Sequence, residues 1–247
     1  MGSVRLDVFL TELGFAPTRE KAKALIMAGE VLLNGQIVIK AGLLVSKKEK
    51  IEIKQPLPFV SRGGLKLKKA LEVFQCDPKN WICCDIGAAH GGFTDCLLQA
   101  GAKKVYAIDV GLPCLDYKLI LDQRVCYWPK QNFRYFDLAQ IPEEVDFVSI
   151  DVSFISLKLL FPKIYTLLRP QGFLIALVKP QFEAKRKDIQ KGGVVKDPAI
   201  QEQILTQVAE SAKLVGLIPQ NSCLSPVVGK KSGNKEFLLF CQKVETK

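Results

Sequence analysis

The fold of this chain is decided by one stretch, Trp81-Ile82-Cys83-Cys84-Asp85-Ile86-Gly87-Ala88-Ala89-His90-Gly91-Gly92. An apolar run ends at Asp85, a glycine-rich turn follows, and the residues after Gly92 have the pattern of a helix. Strand, glycine turn and helix in this order form the first βα unit of a doubly wound sheet, where ligands bind beyond the carboxyl ends of the strands. Glycines in such a turn let the backbone approach a bound molecule closely.

The spacing of these glycines narrows the class of ligand. The turn lacks the Gly-x-Gly-x-x-Gly spacing of nicotinamide and flavin sites, and the chain contains no Walker phosphate-binding motif. About 20 residues further on, a second apolar run ends at Asp109, an acid placed to hold ribose hydroxyls. The Asp-x-Gly-x-x-x-Gly-Gly turn resembles the adenosylmethionine loop of Rossmann-like methyltransferases. Another nucleotide-binding unit and a purely structural glycine turn stay open as alternatives at this point.

The rest of the chain repeats strand and helix. Further apolar runs predict strands at residues 125–127, 146–151, 173–178 and 236–240, and helices are predicted at 156–168 and 201–214. Continuous apolar runs are typical of parallel strands that are buried on both faces. The predicted fold class is therefore α/β, with a Rossmann-like, doubly wound, mostly parallel sheet, preceded by a small α+β unit.

Composition and charge limit the function classes. The formal net charge of +10 and the pI of about 9.2 favour a polyanionic partner, although a generally basic protein is the alternative. The eight cysteines form no C-x-x-C pair and no zinc spacing, so neither a metal site nor a disulfide framework is expected. The chain shows no signal-peptide pattern and no apolar run of bilayer length, which predicts a soluble, cytoplasmic protein without a membrane partner.

Residues 1–54 form a separate small unit. Two short amphipathic helices are followed by a hairpin with an Asn34-Gly35 turn, a strong two-residue hairpin signal. The unit resembles the S4 RNA-binding module over its whole length. That resemblance implies RNA phosphate contacts from four cations, Arg5, Arg19, Lys21 and Lys23. A solvated, charged helix face is the alternative, and the nine Lys/Arg and six acids of residues 4–54 do not decide between them. The prolines of residues 55–60 predict a linker, and residues 61–247 form the second domain.

Charged residues stand at several predicted strand ends. Asp151 and Lys179 follow apolar strands, and Glu236 precedes the last strand. Such a residue is often simply the first solvated one, but a lysine after six apolar residues is a candidate for a partly desolvated base. Lys66 lies in a helix predicted after residue 61, among lysines that are typical of an exposed face.

Five segments, taken in order, resemble the TlyA family. They are residues 61–66 (SRGGLK), 85–95 (DIGAAHGGFTD), 151–157 (DVSFISL), 177–183 (LVKPQFE) and 234–236 (NKE). TlyA proteins are ribosomal RNA 2′-O-methyltransferases, also known as haemolysin A-like proteins, in which an FtsJ-like domain follows an S4 module. The resemblance implies a catalytic Lys-Asp-Lys-Glu tetrad at Lys66, Asp151, Lys179 and Glu236.

The same resemblance implies S-adenosyl-L-methionine as cofactor and ribosomal RNA, at a cytidine, as substrate. The implied cofactor contacts are Asp85, Gly87, Ala88, Gly91, Gly92, Phe93, Asp109, Val110 and Asn132, and Arg62 is an implied RNA contact. Asp85 has two possible roles, a water-mediated contact to the methionine amine or a brace for the loop. His90 departs from the family pattern, and loop packing is favoured over catalysis for it. An inactive RNA-binding protein is the alternative function, and a membrane-lysing haemolysin is disfavoured because no lytic segment is evident.

Overall fold

A computed structural model describes residues 3–53, 58–227 and 234–244 of the chain. The chain divides into two compact units, residues 1–56 and 57–247. Residues 54–57, which include half of the predicted linker, lie outside the described residues. No helix in the described ranges has the length and apolarity that crossing a bilayer requires.

The first unit consists of two helices and two small sheets. Its elements are β1 (Ser3–Arg5), α1 (Leu6–Glu12), α2 (Arg19–Met27), β2 (Val31–Leu33), β3 (Gln36–Val38), β4 (Leu44–Ser46) and β5 (Ile51–Ile53). The Thr18 hydroxyl accepts a hydrogen bond from the backbone N–H of Lys21 and so caps α2. Asn34 and Gly35 both have positive φ, 50° and 81°, as a two-residue hairpin turn requires. The predicted hairpin is therefore confirmed, whereas the β1–β4 pair was not predicted.

The second unit carries the large sheet. Its helices are α3 (Gly63–Val73), α4 (Gly92–Gln99), α5 (Tyr117–Ile120), α6 (Phe161–Leu167), α7 (Pro180–Glu183) and α8 (Pro198–Leu214). Its strands are β6 (Ile82–Ile86), β7 (Lys104–Ile108), β8 (Val125–Trp128), β9 (Val145–Ile150), β10 (Leu168–Val178), β11 (Leu217–Leu224) and β12 (Phe237–Lys243). Short 3₁₀ helices lie at Leu138–Gln140, Leu157–Leu159 and Arg186–Asp188.

The strand order of the large sheet is β11-β12-β10-β9-β6-β7-β8. The strands from β10 to β8 are parallel, and β12 runs antiparallel to β10 and β11. The chain leaves β6 towards β7 and β8, then returns to add β9 on the other side of β6. This makes the carboxyl ends of β6 and β9 a topological switch point, where doubly wound folds bind their ligands. The predicted fold class is confirmed.

Both faces of the sheet are covered. Alternate residues of one strand enter opposite apolar layers, so Cys83 packs in one layer and Cys84 in the other, and the same holds for Phe147 and Val148. This two-sided burial explains why the strands appear as unbroken apolar runs. Asp85 is the exception, a fully buried carboxyl group in the middle of the sheet.

Three regions differ from the predicted elements. Within residues 156–168 a short 3₁₀ helix comes first, and α6 begins only at Phe161, with a proline in its first turn. The strand predicted at residues 173–178 begins earlier, at Leu168, and its register with β9 shifts between Leu168 and Phe173. The edge strand β11 was not predicted, because most of its residues are exposed or half-buried and it lacks an apolar run.

Candidate active site

The fold brings three of the predicted tetrad residues to one edge of the sheet. Asp151 directly follows β9, and Lys179 directly follows β10. Glu236 directly precedes β12, which is antiparallel to β10 and pairs its Phe237 with Val178. The start of β12 therefore lies beside the end of β10, and this is why residues so far apart in sequence meet.

The fourth residue, Lys66, comes from helix α3 and completes a chain of charges. Its Nζ donates a hydrogen bond to Glu236 Oε2 at 2.6 Å and lies 3.6 Å from Asp151 Oδ2. The Nζ of Lys179 forms an ion pair with Asp151 Oδ1 at 2.5 Å. The exposed side-chain fractions are 11% for each lysine, 21% for Asp151 and 4% for Glu236. Two amines and two carboxylates thus share a mostly buried position.

Close packing of α3 against α4 puts Lys66 at this position. A Cβ at Gly92 would collide with the Ser61 hydroxyl and would lie 2.8 Å from the backbone nitrogen of Gly64. A Cβ at Gly64 would collide with the ring of Phe59. Gly92 therefore lets α4 approach the start of α3, and Gly64 makes room for the Phe59 ring. The contact of Gly92 with the cofactor stays a prediction.

A cavity of about 770 Å³ opens beyond the carboxyl ends of β6, β7 and β9. Four of the predicted cofactor residues line it: Gly87, Asp109, Val110 and Asn132. Asp151 also lines this cavity, so the charge cluster borders it directly. The other five predicted cofactor residues are absent from the lining: Asp85, Ala88, Gly91, Gly92 and Phe93.

Two glycines of the turn have different roles. Gly87 has φ +83°, and a Cβ there would collide with the backbone carbonyl oxygen of Asp151. Its lack of a side chain lets the ends of β6 and β9 come together at the cavity. Gly91 has φ +90°, and a Cβ there would collide with Leu119 of α5. Gly91 thus makes room for Leu119, and its contact with the cofactor stays a prediction.

The Asp109 carboxylate is held in place by backbone amides at the cavity wall. Oδ2 accepts a hydrogen bond from the N–H of Ala89 at 2.8 Å, and Oδ1 accepts one from Gly111 at 2.7 Å. Each oxygen keeps a lone pair for a further donor. Because Asp109 directly follows β7 and its carboxylate has a fixed orientation, this carboxylate is suited to accept hydrogen bonds from ligand hydroxyls.

Asp85 joins three elements below the cavity. Its Oδ2 accepts a hydrogen bond from the Thr94 hydroxyl at 2.7 Å, and Oδ1 accepts one from the Ser149 hydroxyl at 3.1 Å. Complete burial raises the pKa of Asp85 to about 7, although both hydrogen bonds oppose this increase. These contacts are those of a brace between β6, α4 and β9. A contact of Asp85 with the ligand stays a prediction.

In the first unit, a buried carboxylate orients two of the predicted RNA-binding cations. Arg5 Nη2 lies 2.9 Å and Arg19 Nε 3.0 Å from Asp7 Oδ2, and the Asp7 side chain is fully buried. The hydrogen bond from Arg5, aided by Arg19, lowers the pKa of Asp7 to about 2 against the opposing effect of burial. Both arginine side chains are nearly half exposed, at 45% and 46%. Lys21 is exposed on the same unit.

The remaining cations and the single histidine are placed as follows. Lys23 is half-buried on α2, and Arg62 is exposed at the start of α3. His90 is also exposed, so the expected packing of its side chain within the loop is wrong. Its backbone carbonyl accepts a hydrogen bond from the N–H of Asp116 at 3.3 Å.

Sequence reasoning missed two residues next to the charge cluster. Ser153 lines the cavity, and its Oγ accepts a hydrogen bond from Lys179 Nζ at 3.0 Å. Phe154 is 91% exposed, has φ +64°, and places its ring 5.0 Å from the ring of Phe182. Both belong to the conspicuous segment 151–157, but a loop segment has no periodicity that would indicate which side chains face the site.

Comparison with known proteins gives a consistent result. The FtsJ-like methyltransferase family model matches residues 59–243, and the S4 domain model matches residues 4–51. YqxC of Bacillus subtilis, whose name provisionally assigns it as an rRNA methyltransferase, is 47% identical over 95% of this chain and 84% of its own. The 16S/23S rRNA (cytidine-2'-O)-methyltransferase TlyA of Mycobacterium tuberculosis is 36% identical over 96% of this chain and 88% of its own. A solved structure from Streptococcus thermophilus, described as a hemolysin, is 43% identical, covers 100% of this chain and 90% of that chain, and gives a TM-score of 0.77.

Proposed function

Because this chain belongs to the FtsJ-like methyltransferase family and carries an S4 domain ahead of its methyltransferase domain, we propose that it methylates a ribose 2′-hydroxyl of ribosomal RNA. The proposed methyl donor is S-adenosyl-L-methionine. The proposed target nucleoside is cytidine, in line with the name of the Mycobacterium tuberculosis relative. The observation that carries the proposal is the cluster of Lys66, Asp151, Lys179 and Glu236, which borders the cavity through Asp151.

The cavity has the features that this donor requires. Asp109 offers a fixed carboxylate for ribose hydroxyls, and Ile86 and Ile108 provide apolar surface beside it. Gly87 gives access to backbone that a side chain would cover. Asp151 lines the same cavity, and its Oδ1 is engaged in the ion pair with Lys179. When bound, S-adenosyl-L-methionine supplies an electrophilic methyl group and leaves as a neutral thioether.

The chemical task of the protein is to remove a proton from a weakly acidic hydroxyl. A ribose hydroxyl keeps its proton at neutral pH, and its oxygen becomes an effective nucleophile only as that proton leaves. In our proposal, the proton passes from the 2′-oxygen to Nζ of Lys179. The low exposure of Lys179 excludes much of the competing water. Holding the hydroxyl in line with the donor supplies a further part of the rate.

The other three residues support this base by their charges. The negative charge of Asp151 compensates the positive charge that Lys179 gains. The negative charge of Glu236 is compensated by its pairing with Lys66, which also lies near Asp151. With Lys179 in its neutral form, the four groups sum to one net negative charge, which complements a cationic sulfonium donor nearby.

The S4 domain is proposed to hold the RNA. Arg5 and Arg19 are pre-oriented by Asp7, and each guanidinium can give paired hydrogen bonds to phosphate. Lys21, Lys23 and Arg62 are proposed as further phosphate contacts. Such contacts provide affinity and orientation, whereas the choice of nucleotide depends on the catalytic domain.

Transfer of a radioactive methyl group tests the proposal. Ribosomal subunits from cells that lack the protein are incubated with purified protein and labelled S-adenosyl-L-methionine, and the labelled nucleotide is located by its resistance to alkaline cleavage. We expect label at a ribose 2′-oxygen of ribosomal RNA. RNA binding without incorporation of label would instead identify an inactive RNA-binding protein.

A further inference from the structure

A hydroxyl group, in addition to the charge cluster, contacts the proposed base. Ser153 Oγ lies 3.0 Å from Lys179 Nζ, and Ser153 also lines the cavity. We infer that Ser153 is a positioning residue that fixes the direction of the Lys179 amine towards the ribose hydroxyl. This inference rests on the proposed function and adds a residue to that site.

Asp151 and Ser153 contribute different things to Lys179. The Asp151 oxygen is 2.5 Å from Nζ, but it is not aligned as a hydrogen-bond acceptor in the described part of the chain. An ion pair of this kind selects a rotation about the Cε–Nζ bond less strictly than an aligned hydrogen bond does. A hydrogen bond does select a rotation, because it weakens steeply when it is misaligned. Within the described residues, the aligned partner of Nζ is Ser153.

The direction of the amine matters for proton transfer. A neutral amine has one lone pair, which must point at the proton that it takes. Once Ser153 accepts one N–H, the positions of the other N–H and of the lone pair are limited to two staggered choices. The negative charge of Asp151 favours an N–H on its own side. The lone pair then takes the third staggered position, and in our proposal the hydroxyl binds opposite that position.

The contact between Ser153 and Lys179 is supported by its surroundings. Glu183, four residues after Lys179, accepts hydrogen bonds from the Ser156 hydroxyl at 2.6 Å and from the Leu157 N–H at 2.7 Å. These bonds tie helix α7 to the loop that follows β9. The rings of Phe154 and Phe182 make a further contact between the same two segments. Three separate contacts therefore hold the hydroxyl beside the amine.

The backbone after Ser153 is unusual in a way that fits this role. Phe154 has φ +64°, a left-handed conformation that bulky side chains rarely adopt. Strained backbone of this kind persists where surrounding contacts enforce it, and it is common at functional sites. The chain bends at residues 153–155, and Ser153 lies at the cavity wall.

The proposed step leaves Ser153 chemically unchanged. The hydroxyl proton of the ribose moves to Lys179 Nζ as the 2′-oxygen forms its bond to the methyl carbon and the carbon–sulfur bond breaks. Ser153 keeps its own proton and accepts an N–H from Lys179 before and after the transfer. Removal of Ser153 should therefore slow the chemical step without weakening the binding of either substrate.

The test compares Ser153→Ala with Ser153→Thr and with the control Ser222→Ala, an exposed serine on β11. At the pH of maximal activity, we expect Ser153→Ala to lower kcat by about tenfold, because small misplacements of reacting groups cost factors of this size or more. The KM for ribosomal RNA and the Kd for S-adenosyl-L-methionine should stay within about twofold. Thr, which keeps the hydroxyl, should restore most of kcat, and Ser222→Ala should match the wild type. A wild-type kcat in Ser153→Ala would overturn the inference.

A second measurement needs no substrate. Acetic anhydride acetylates the folded protein, and the rate at which Lys179 is modified is read by mass spectrometry of the peptides after digestion. Ser153→Ala should raise this rate at least twofold, because Lys179 loses the acceptor that holds its amine and limits its rotation. An unchanged rate would overturn the inference even if kcat falls, since it would show that Ser153 does not hold the amine. Absence of methyl transfer by the wild-type protein would overturn the proposed function, while the acetylation rates would still decide whether Ser153 holds Lys179.

Discussion

Lys66 Nζ lies 2.6 Å from Glu236 Oε2 although the two residues are 170 positions apart, so one hydrogen bond joins the first helix of the methyltransferase unit to its last strand. Their side chains are only 11% and 4% exposed. Burial of two charges carries a large desolvation penalty, which their mutual attraction offsets only while both are present. The pair therefore links the stability of this unit to the integrity of its proposed active site.

This pairing predicts a non-additive effect on stability. Lys66→Met should lower the free energy of unfolding by about 3–5 kcal/mol, because it leaves Glu236 buried without its main partner. The double variant Lys66→Met/Glu236→Gln should recover much of that loss, since no buried charge is left unpaired. Urea denaturation of the two single variants and the double variant measures the coupling. If the losses in free energy of unfolding of the two single variants simply added up in the double variant, the predicted coupling would be contradicted.

Lys179→Ala should abolish methyl transfer without unfolding the protein. Loss of a positioned base typically costs about 10²–10⁴-fold in rate, and Asp151 keeps Lys66 as a neighbouring cation. The measurements are label incorporation into ribosomal RNA and the midpoint of thermal unfolding. Lys69→Ala removes an exposed lysine from α3 and is the matched control, with wild-type activity expected. Near-normal turnover in Lys179→Ala would reject its role as the base.

The sequence was sufficient to predict the features that depend on local pattern. Apolar runs identified the parallel strands, and the Asn34-Gly35 turn identified the hairpin. The predicted strand ends were sufficient to place Asp151 and Lys179 at the same edge of the sheet, because the carboxyl ends of parallel strands meet at one edge. The edge strand β11 has mixed exposure, so its pattern resembled that of a loop.

Features that depend on contacts between distant segments were less predictable. The glycines at positions 87, 91 and 92 look equivalent in sequence, yet Gly87 lines the cavity while the other two make room for neighbouring helices. Nothing in a glycine's own position distinguishes a close ligand from a close helix. Lys66 was assigned only through family resemblance, because a lysine on a helix is usually exposed. Its burial depends on how closely α3 packs against α4.

Gly87→Ala tests whether the turn holds the methyl donor. The new Cβ would collide with the carbonyl oxygen of Asp151, and φ +83° is strained for alanine. Gly193→Ala is the matched control, since φ is +74° there but the added Cβ meets no atom within 4 Å. Both variants should lose about 1–2 kcal/mol of stability from backbone strain. Only Gly87→Ala should also lose binding of S-adenosyl-L-methionine in calorimetry, and equal binding by both variants would refute this role of Gly87.

Arg19→Ala should weaken the binding of ribosomal RNA through loss of one phosphate contact. Asp7 keeps both hydrogen bonds from Arg5, so the first unit should remain folded. The expected signature is a slope of log K against log salt that is smaller by about one, as for the loss of a single phosphate contact. Lys50→Ala removes an exposed lysine that pairs with Glu52 and should leave the slope unchanged. An unaltered slope in Arg19→Ala would show that Arg19 does not bind phosphate.

Asp85→Asn should change how the stability of the protein depends on pH. Burial raises the pKa of Asp85 to about 7 in the folded protein, against 3.8 for the group in its ordinary state. The folded state therefore holds the proton more tightly than the unfolded state does. By linkage, this group's contribution to stability is greatest below about pH 4, falls as pH rises to about 7, and is constant above that.

Asparagine has no proton to lose and can still bond to the hydroxyls of Thr94 and Ser149, which can accept as well as donate. At pH 8 we therefore expect Asp85→Asn to be more stable than the wild type by roughly 2–4 kcal/mol, an advantage that disappears towards pH 4. Asp7, whose pKa is lowered to about 2, loses its contribution below pH 4 in both proteins and cancels from the difference. Glu144→Gln, at an exposed carboxylate, is the control and should follow the wild-type curve. Chemical denaturation across this pH range measures the difference, and parallel curves for Asp85→Asn and wild type would show that Asp85 is ionised in the folded protein throughout.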